Sequence, residues 1–263
     1  RRNIIVATGT GSGKTEAFIA PVLNHLLREK EKGALSPGVR ALLLYPMNAL
    51  ANDQMKRLRR ILKNYQVITF GRYINIEETP ETVAQAKEYF RKTYGESEPD
   101  IDNELKSREE MHATPPHLLI TNYAMLEYLL LRPQATNLFD GETGKHWHFI
   151  VLDEAHVYDG ANATEIAMLL RRLQDRVAGD KHGKIKGIAT SATLGAGEKD
   201  YVQVTDFASK LFNKSFIWDD SNPDEQDVVG ADFLPLDALG DMWGKLNPKI
   251  YQLLNEIMIS DRD

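Results

Sequence analysis

The 263-residue sequence contains no cysteine. Disulfide bonds and thiolate metal sites are therefore excluded, which agrees with a reducing, cytoplasmic location. No apolar run approaches the roughly 18–20 residues of a membrane span, and no signal-peptide pattern opens the chain. We therefore expect a cytoplasmic protein without a membrane partner. Because the chain starts with two arginines rather than methionine, we also expect it to be a piece of a longer protein.

A surplus of positive charge is also missing, since the formal net charge is −6. Such a balance argues against a nucleic-acid partner when the charge is evenly spread. Residues 219–263, however, hold eleven acidic side chains against three basic ones, which leaves a charge of +2 on residues 1–218. Charge therefore neither excludes nor supports a nucleic-acid partner, and the motifs must decide.

A glycine-rich stretch, Ala7–Thr15, lies between a predicted strand and a predicted helix. Residues 3–6 are typical of a buried strand, and residues 16–28 have apolar positions at helical spacing. The glycines permit backbone angles that point successive amides at one centre, and the helix start adds partial positive charge. This arrangement predicts a phosphate-binding loop. The candidate nucleotide-binding residues are Thr8, Gly9, Thr10, Gly11, Ser12, Gly13, Lys14 and Thr15.

Two residues of this loop have predicted chemical roles. Lys14 can reach the β- and γ-phosphates of ATP, and the Thr15 hydroxyl can ligate Mg²⁺. Thr8 stands where the strict phosphate-loop pattern has glycine. The loop alone predicts nucleotide binding and leaves its purpose open.

The rest of the chain alternates apolar strand patterns with amphipathic helices, which predicts an α/β domain: a mostly parallel sheet with helices on both faces. Residues 72–115 interrupt this alternation with a polar, glutamate-rich segment, interpreted as an insertion over the sheet. We expect one domain at residues 1–218, then an acidic linker and a final helix at 219–263. Predicted strands cover residues 3–6, 39–45, 67–70, 117–121, 148–153, 186–190 and 216–218, and predicted helices cover residues 16–28, 49–65, 81–94, 124–131, 163–177, 201–212 and 248–259.

A second motif, Asp153-Glu-Ala-His156, ends the predicted strand 148–153. In open α/β sheets, ligands bind outside the carboxyl ends of the strands. Asp153 can hold the Mg²⁺ shell there, and Glu154 can orient and deprotonate an attacking water. The catalytic candidates are Lys14, Asp153, Glu154 and His156, and the candidate metal ligands are Thr15 and Asp153.

A third motif, Ser191-Ala-Thr193, follows the predicted strand 186–190. Small hydroxyl side chains at this edge can hydrogen-bond to the Asp153–His156 region and sense a γ-phosphate. Ser191 and Thr193 are therefore candidates for coupling the nucleotide site to the rest of the domain.

Five segments, taken in order, resemble motifs I, Ia, Ib, II and III of superfamily 2 helicases of the DEAD/DEAH-box type. These segments are Ala7–Thr15, Pro46–Gln54, Thr121-Asn122, Asp153–His156 and Ser191–Thr193. Thr8 is then expected, since this family often has Ala or Thr there. Residues 45–54, 153–160 and 171–173 resemble RecQ-related repair helicases of the MrfA type and large bacterial helicases of phage-defence systems. The resemblance implies the first RecA-like domain of an ATP-dependent helicase.

The resemblance also implies a face that binds nucleic acid, with single-stranded DNA favoured and RNA possible. The implied contact residues are Pro46, Asn48, Gln54, Thr121 and Asn122, with Leu50 also on motif Ia. Further candidates are the outward basic face of helix 49–65, with Lys56, Arg57, Arg59 and Arg60, and the segment Gly71–Tyr73. An ordinary solvated face is the alternative reading of the basic residues.

The resemblance implies half of an ATP site. The family's adenine-recognising glutamine motif, upstream of the first strand, and the arginine fingers of its second RecA-like domain have no counterpart in the chain. Arginine fingers contribute about 10³–10⁵ in rate. We therefore expect a second RecA-like domain of the same full-length chain as partner, and a fragment that binds nucleotide weakly and unwinds nothing.

The sequence thus predicts an ATP hydrolase that couples hydrolysis to movement on or unwinding of DNA. One alternative is a double-strand translocase that does not unwind. Another is a nucleotide-gated scaffold that binds a partner protein through residues 72–115 or the acidic tail. Nucleic-acid stimulation of ATP hydrolysis distinguishes either motor from the scaffold.

Overall fold

The computed structural model describes residues 2–9, 13–95, 97–178, 184–191, 200–222 and 225–230. Within them, the strands are β1 (Ile4–Ala7), β2 (Ala41–Tyr45), β3 (Phe70–Arg72), β4 (Glu104–Leu105), β5 (Leu118–Asn122), β6 (Phe149–Leu152), β7 (Lys186–Ser191) and β8 (Val228–Gly230). They form one eight-stranded sheet in the order β4-β3-β5-β2-β6-β7-β1-β8. All neighbouring strands pair in parallel, as the sequence predicts.

Six of the eight α-helices in the described residues match predicted helices closely, whereas the short helices at 108–113 and 136–139 were not predicted. In chain order, the α-helices of the described residues are α1 (Lys14–Glu31), α2 (Asn48–Leu62), α3 (Val83–Tyr94), α4 (Arg108–Ala113), α5 (Tyr123–Leu131), α6 (Thr136–Phe139), α7 (Gly160–Ala178) and α8 (Tyr201–Phe212). The predicted strand 67–70, by contrast, begins three residues before β3. The chain still turns there, since the Ile68 amide donates to the Tyr65 carbonyl at 2.9 Å, and Val67 is exposed.

The central strand β2 shows why the sheet is covered on both faces. All five of its residues are buried. Leu42 and Leu44 pack in one apolar cluster, and Ala41, Leu43 and Tyr45 pack in another, because successive side chains point to opposite faces. The first cluster includes residues of α5, α7 and α8, whereas the second includes residues of α1 and α2. The predicted RecA-like fold class is confirmed.

Segment 72–115 is built into this body. Its strand β4 pairs with β3 at the edge of the sheet. Arg59 on α2 is only 2% exposed, and its guanidinium donates two hydrogen bonds to Glu104 of β4, both at 2.7 Å. The expectation that Arg59 faces outward is therefore wrong, because a buried carboxylate from the segment pairs with it in the strong bidentate geometry.

The sheet continues past the domain boundary predicted at residue 218. Trp218 forms an isolated antiparallel bridge with Gln226, and β8 then pairs with β1 as the last strand. The compact unit accordingly runs to Gly230. The predicted helix at 248–259 lies outside the described residues. In the part of the chain that the structure describes, no helix has both the length and the apolar character to cross a membrane.

Candidate functional site

Three neighbouring strands deliver the three predicted chemical motifs to one edge of the sheet. β7 lies between β1 and β6, with Ala7 opposite Ser191 and Leu152 opposite Ala189. Because these strands are parallel, the segments that follow them all leave from their carboxyl ends. The phosphate loop, the Asp153–His156 motif and Ser191 therefore meet there, although they lie far apart in sequence.

The phosphate loop leads directly into α1. Gly13, the residue before the helix, has φ of 87°, a left-handed conformation that favours glycine. Lys14 and Thr15 are buried in the first turn, where the helix dipole favours anions. At the start of the loop, the Thr8 amide donates to the Ser191 carbonyl at 3.2 Å. The predicted binding residues Thr10, Gly11 and Ser12 lie outside the described residues.

Lys14 lies against the predicted general base. Its ammonium, on a side chain only 9% exposed, donates to Glu154 Oε1 at 3.0 Å. The residue that is predicted to hold phosphates thus contacts the residue that is predicted to activate water. Burial strengthens such a pair, and either partner left alone would be costly.

Asp153 is a buried carboxylate held by backbone and side-chain contacts. Its amide donates to the Leu44 carbonyl at 3.1 Å, and its Oδ1 accepts a hydrogen bond from the Thr190 hydroxyl. Burial, and secondarily the neighbouring charge of Glu154, raises the pKa of the Asp153 carboxyl, although the Thr190 bond and the Lys14 charge oppose this rise. A cation beside Asp153 would favour its ionised form.

Glu154 occupies a strained backbone position. Its φ of 51° and ψ of 48° are left-handed, which is uncommon for a residue other than glycine. Its amide donates to Thr190 Oγ1 at 3.3 Å, so one threonine hydroxyl contacts both residues of the acidic pair. Such conformations persist only where the surroundings fix them, and they cluster at functional sites.

His156 joins the second motif to the third. Its Nδ1 lies 3.3 Å from Glu154 Oε2 and 3.2 Å from the Ser191 hydroxyl oxygen. The structure thus brings Lys14, Glu154, His156 and Ser191 together as a continuous set of contacts. Thr193, the other coupling candidate, lies outside the described residues. Sequence reasoning missed Thr190, although it immediately precedes Ser191 at the end of β7.

Two of the predicted nucleic-acid contacts lie together at the same edge. β2 and β5 are neighbours, and the side-chain amide nitrogen of Asn122 donates to Asn48 Oδ1 at 2.7 Å. Asn122 also caps α5 by accepting the Met125 amide at 2.7 Å. Pro46 is partly exposed beside them. Thr121, by contrast, is fully buried, and its hydroxyl donates to the Tyr73 carbonyl. The structure therefore does not bring Thr121 to the surface with the asparagines.

Gln54, another predicted nucleic-acid contact, reaches the ATP site instead. Its side-chain amide nitrogen donates to Thr15 Oγ1 at 3.3 Å. Its Oε1 is buried and hydrogen-bonds to none of the described residues. Helix α2 therefore touches the predicted metal ligand directly, which motif order alone did not indicate.

The basic candidates divide into internal and external residues. Arg72 is buried and donates to Asn52 and to the Glu78 carbonyl. Its side chain is therefore not exposed to a nucleic acid. Arg57 pairs with Glu16 at 2.8 Å on the surface, and Arg60 is exposed. Of the four basic residues on α2, only Arg59 has a buried side chain.

Two exposed apolar residues were missed at this edge. Met47 is 59% exposed just after β2, and Tyr123 is 42% exposed just after β5. They flank the asparagine pair in sequence. Their position directly after predicted strands, where ligands bind in such sheets, was the signal that could have identified them.

The fold is that of a RecA-like domain, and the site brings together the lysine and the carboxylate that are predicted to act on a nucleotide. The family model described as DEAD/DEAH box helicase matches residues 1–201. The chain belongs to the DEAD/DEAH box helicase family.

Curated relatives agree with this assignment, and solved structures share the fold. Druantia protein DruE of Escherichia coli (strain UMEA 4076-1) is 32% identical over 320 aligned residues, covering 88% of this chain and 17% of DruE. The ATP-dependent helicase Lhr-Core of Methanothermobacter thermautotrophicus is 28% identical, covering 73% of this chain and 20% of its own. The crystal structure of the DUF1998 helicase MrfA bound to DNA is similar with a TM-score of 0.57 and 23% identity, covering 88% of this chain and 25% of MrfA. MrfA was also solved with DNA and AMPPNP (TM-score 0.54). The chain thus spans about a fifth of the relatives' length.

Proposed function

We propose that this chain is the ATP-binding domain of an ATP-dependent helicase or translocase, which couples ATP hydrolysis to movement on or unwinding of DNA. The observation that carries the proposal is the set of contacts from Lys14 through Glu154 and His156 to Ser191. These contacts join three motifs within the region that the family model matches. Strained residues such as Glu154 cluster at functional sites, and Glu154 contacts Lys14 of the glycine-rich loop. This favours a loop that binds a nucleotide over a loop that only connects a strand to a helix.

The described residues fit a Mg²⁺ ion bound together with ATP. Thr15 offers a hydroxyl oxygen and Asp153 a buried carboxylate, and Mg²⁺ prefers such hard ligands. Among the described residues, no group of three or more His, Asp or Glu side chains could hold a metal by itself. This agrees with Mg²⁺, which keeps several waters and takes its other ligands from phosphates. When bound, the ion would neutralise charge on the β- and γ-phosphates.

Lys14 would have two anionic partners, Glu154 and the γ-phosphate of ATP. Its ammonium holds Glu154 at 3.0 Å, and the γ-phosphate would compete for the same ammonium. Once Lys14 contacts phosphate, Glu154 is free to accept a proton from the attacking water. A movement of the Glu154 side chain away from Lys14 would displace His156, which contacts it, and His156 would in turn displace Ser191 at the end of β7.

We further propose that single-stranded nucleic acid, DNA in preference to RNA, binds at the carboxyl edge beside the ATP site. Asn48 and Asn122 offer polar groups for the phosphate backbone, and Met47 and Tyr123 offer apolar surface for bases. The DNA complex of MrfA supports DNA as the ligand. A second RecA-like domain of the full-length protein would complete the ATP site.

ATP hydrolysis by the full-length protein, with and without single-stranded DNA and RNA, tests the proposal. We expect stimulation by DNA, loss of nucleotide binding in Lys14→Ala, and unchanged behaviour in Glu31→Gln, an exposed residue at the end of α1. Hydrolysis that ignores both nucleic acids would favour a nucleotide-gated scaffold. Triplex displacement without strand displacement would favour a double-strand translocase.

The 263-residue chain alone provides a second test. We expect it to bind nucleotide weakly and to unwind no duplex, because the proposed second domain supplies part of the site. Robust unwinding by this chain alone would contradict that part of the proposal.

A further inference from the structure

Helix α2 connects the two halves of the proposed site. Gln54, in the middle of this helix, donates to the hydroxyl of Thr15 at 3.3 Å. Asn48, its first residue, accepts from Asn122 at the proposed strand-binding edge. The two positions are six residues apart, or about 9 Å along the helix axis. A displacement of α2 at Gln54 therefore also moves Asn48, and the reverse.

The hydrogen-bonding capacity of Thr15 gives Gln54 a specific task. A hydroxyl has one proton to donate and two lone pairs that accept. The Gln54 amide nitrogen uses one lone pair. If Thr15 Oγ1 ligates a cation, it gives a lone pair to the metal and its proton needs an acceptor.

The acceptor is already present on the same side chain. Gln54 Oε1 is buried and hydrogen-bonds to none of the described residues. The amide nitrogen and oxygen of glutamine have nearly the same shape, so the group can turn over in place. It would then accept the Thr15 proton and orient the other lone pairs of Oγ1 toward the metal.

The other contacts of α2 keep the helix rigid. Arg59 is held by two 2.7 Å hydrogen bonds to Glu104, and Asn52 donates to Glu78 at 2.8 Å. On the opposite side, Arg57 pairs with Glu16 of α1. Because the contacts of the buried Arg59 and of Asn52 fix α2 to segment 72–115, the helix is suited to move as one body with that segment rather than to bend.

We propose that Gln54 is a positioning residue that orients Thr15 Oγ1 for the nucleotide-bound metal and thereby links that metal to the strand-binding end of α2. This inference rests on the proposed function. It replaces the sequence-based expectation that Gln54 itself contacts nucleic acid. It predicts that loss of the Gln54 amide weakens the metal's contribution to nucleotide binding and the effect of nucleotide on strand binding.

The test compares Gln54→Met, which keeps the side-chain length without hydrogen bonds, with Gln54→Glu, which keeps an acceptor for the Thr15 proton. Binding of a fluorescent AMPPNP analogue to the full-length protein is measured with Mg²⁺ and with EDTA. In Gln54→Met we expect the Mg²⁺-dependent gain in affinity to fall about tenfold, as for other outer-sphere partners of metal ligands, with unchanged affinity in EDTA. Gln54→Glu should retain most of that gain. Asp53→Asn, an exposed neighbour on α2, serves as the control.

A second readout is the fluorescence anisotropy of labelled single-stranded DNA, with and without AMPPNP. We expect Gln54→Met to bind DNA like the wild type without nucleotide, but to respond less to AMPPNP. A melting curve for each variant confirms that it is folded. If Gln54→Met weakens DNA binding equally in both conditions and keeps its Mg²⁺ dependence, Gln54 is a strand contact and the inference is overturned. If the wild-type protein itself binds no nucleotide, the proposed function fails, and the inference fails with it.

Discussion

The two edges of the sheet both carry buried charge, but they use it differently. At the amino-terminal edge, the fully buried Arg40 donates to Glu29 at 2.9 Å and to the carbonyls of Ser36 and Gly38 at 2.5 and 2.8 Å. At the carboxyl edge, Asp153 has a raised pKa and Glu154 a left-handed backbone.

Buried polar atoms without a hydrogen bond are most frequent near the site. Among the described residues, four of the seven such side-chain atoms are oxygens of Tyr45, Tyr158, Gln54 and Glu154, and the other three belong to His25, Arg59 and Asn103. Burial, and secondarily the charge of Asp153, raises the pKa of both tyrosines. Paired charge stabilises a fold, whereas incompletely paired charge is available for a ligand. We therefore interpret one edge as structural and the other as functional.

The largest expected effect is the loss of activity at the functional edge. Glu154→Gln keeps an acceptor for Lys14 but cannot take a proton from water. We expect DNA-stimulated ATP hydrolysis by the full-length protein to fall by about 10²–10⁴, as for other general bases. The melting temperature should fall only modestly, because the side chain keeps its size and an acceptor for Lys14 although it no longer neutralises that buried ammonium. An equal loss in the exposed control Glu31→Gln would count against this role.

The next effect is the loss of stability at the structural edge. Arg40→Met removes four hydrogen bonds and leaves Glu29, the Ser36 hydroxyl and two carbonyls without their donor. We expect the free energy of unfolding to fall by about 3–5 kcal/mol, measured by urea denaturation. Arg60→Met, at an exposed position on α2, should change it by less than about 0.5 kcal/mol. Similar effects of the two variants would remove the distinction between the edges.

The sequence predicts the functional edge better than the structural one. Lys14, Asp153 and Glu154 belong to short motifs in which neighbouring residues share one task, so their positions can be read directly. Arg40 shares its task with Glu29, Ser36 and Gly38, and only the loop between α1 and β2 brings these groups together. Such pairings depend on tertiary packing, which no local pattern encodes.

Segment 72–115 and helix α2 show the same limit. Arg59 was expected outside, yet it lies one helical turn from the buried Met55 and so shares its face of the helix. Charge was a misleading guide there, because the partner Glu104 lies 45 positions along the chain. Strands β4 and β8 are two and three residues long, too short for a recognisable alternation. The hydrogen bond from Gln54 to Thr15 likewise depends on how α2 packs against the sheet and α1, which the sequence pattern does not show.

A histidine at the structural edge predicts a pH effect on stability. His117 Nδ1 accepts the Thr69 amide at 2.9 Å, and its Nε2 lies 3.2 Å from the Ser36 carbonyl, which fits the neutral ring protonated at Nε2. A second proton at Nδ1 would face the Thr69 amide. Burial, and secondarily the charge of Arg40, lowers the pKa of His117 to about 4.

The direction of this effect follows from the lowered pKa. The unfolded chain binds a proton near the ordinary histidine pKa of about 6.5, whereas the folded chain does not until about pH 4. The stability contributed by neutral His117 is therefore present above pH 6.5 and is lost as the pH falls toward 4, by on the order of 3 kcal/mol at most. His117→Gln keeps a neutral donor and acceptor, so its stability should fall less over this range in urea denaturation. Parallel pH profiles would contradict the assignment.

The smallest effect concerns an exposed charge pair at the functional edge. Arg57 and Glu16 are 2.8 Å apart, but their side chains are 44% and 55% exposed. Water screens such a pair, so Arg57→Ala should change the free energy of unfolding by less than about 1 kcal/mol, and the difference should shrink in 1 M salt. Urea denaturation at low and high salt, with Arg60→Ala as the control for lost charge, measures it. A loss as large as that for Arg40→Met would mean that proximity alone sets the energy of a pair, and burial would no longer explain why the two edges differ.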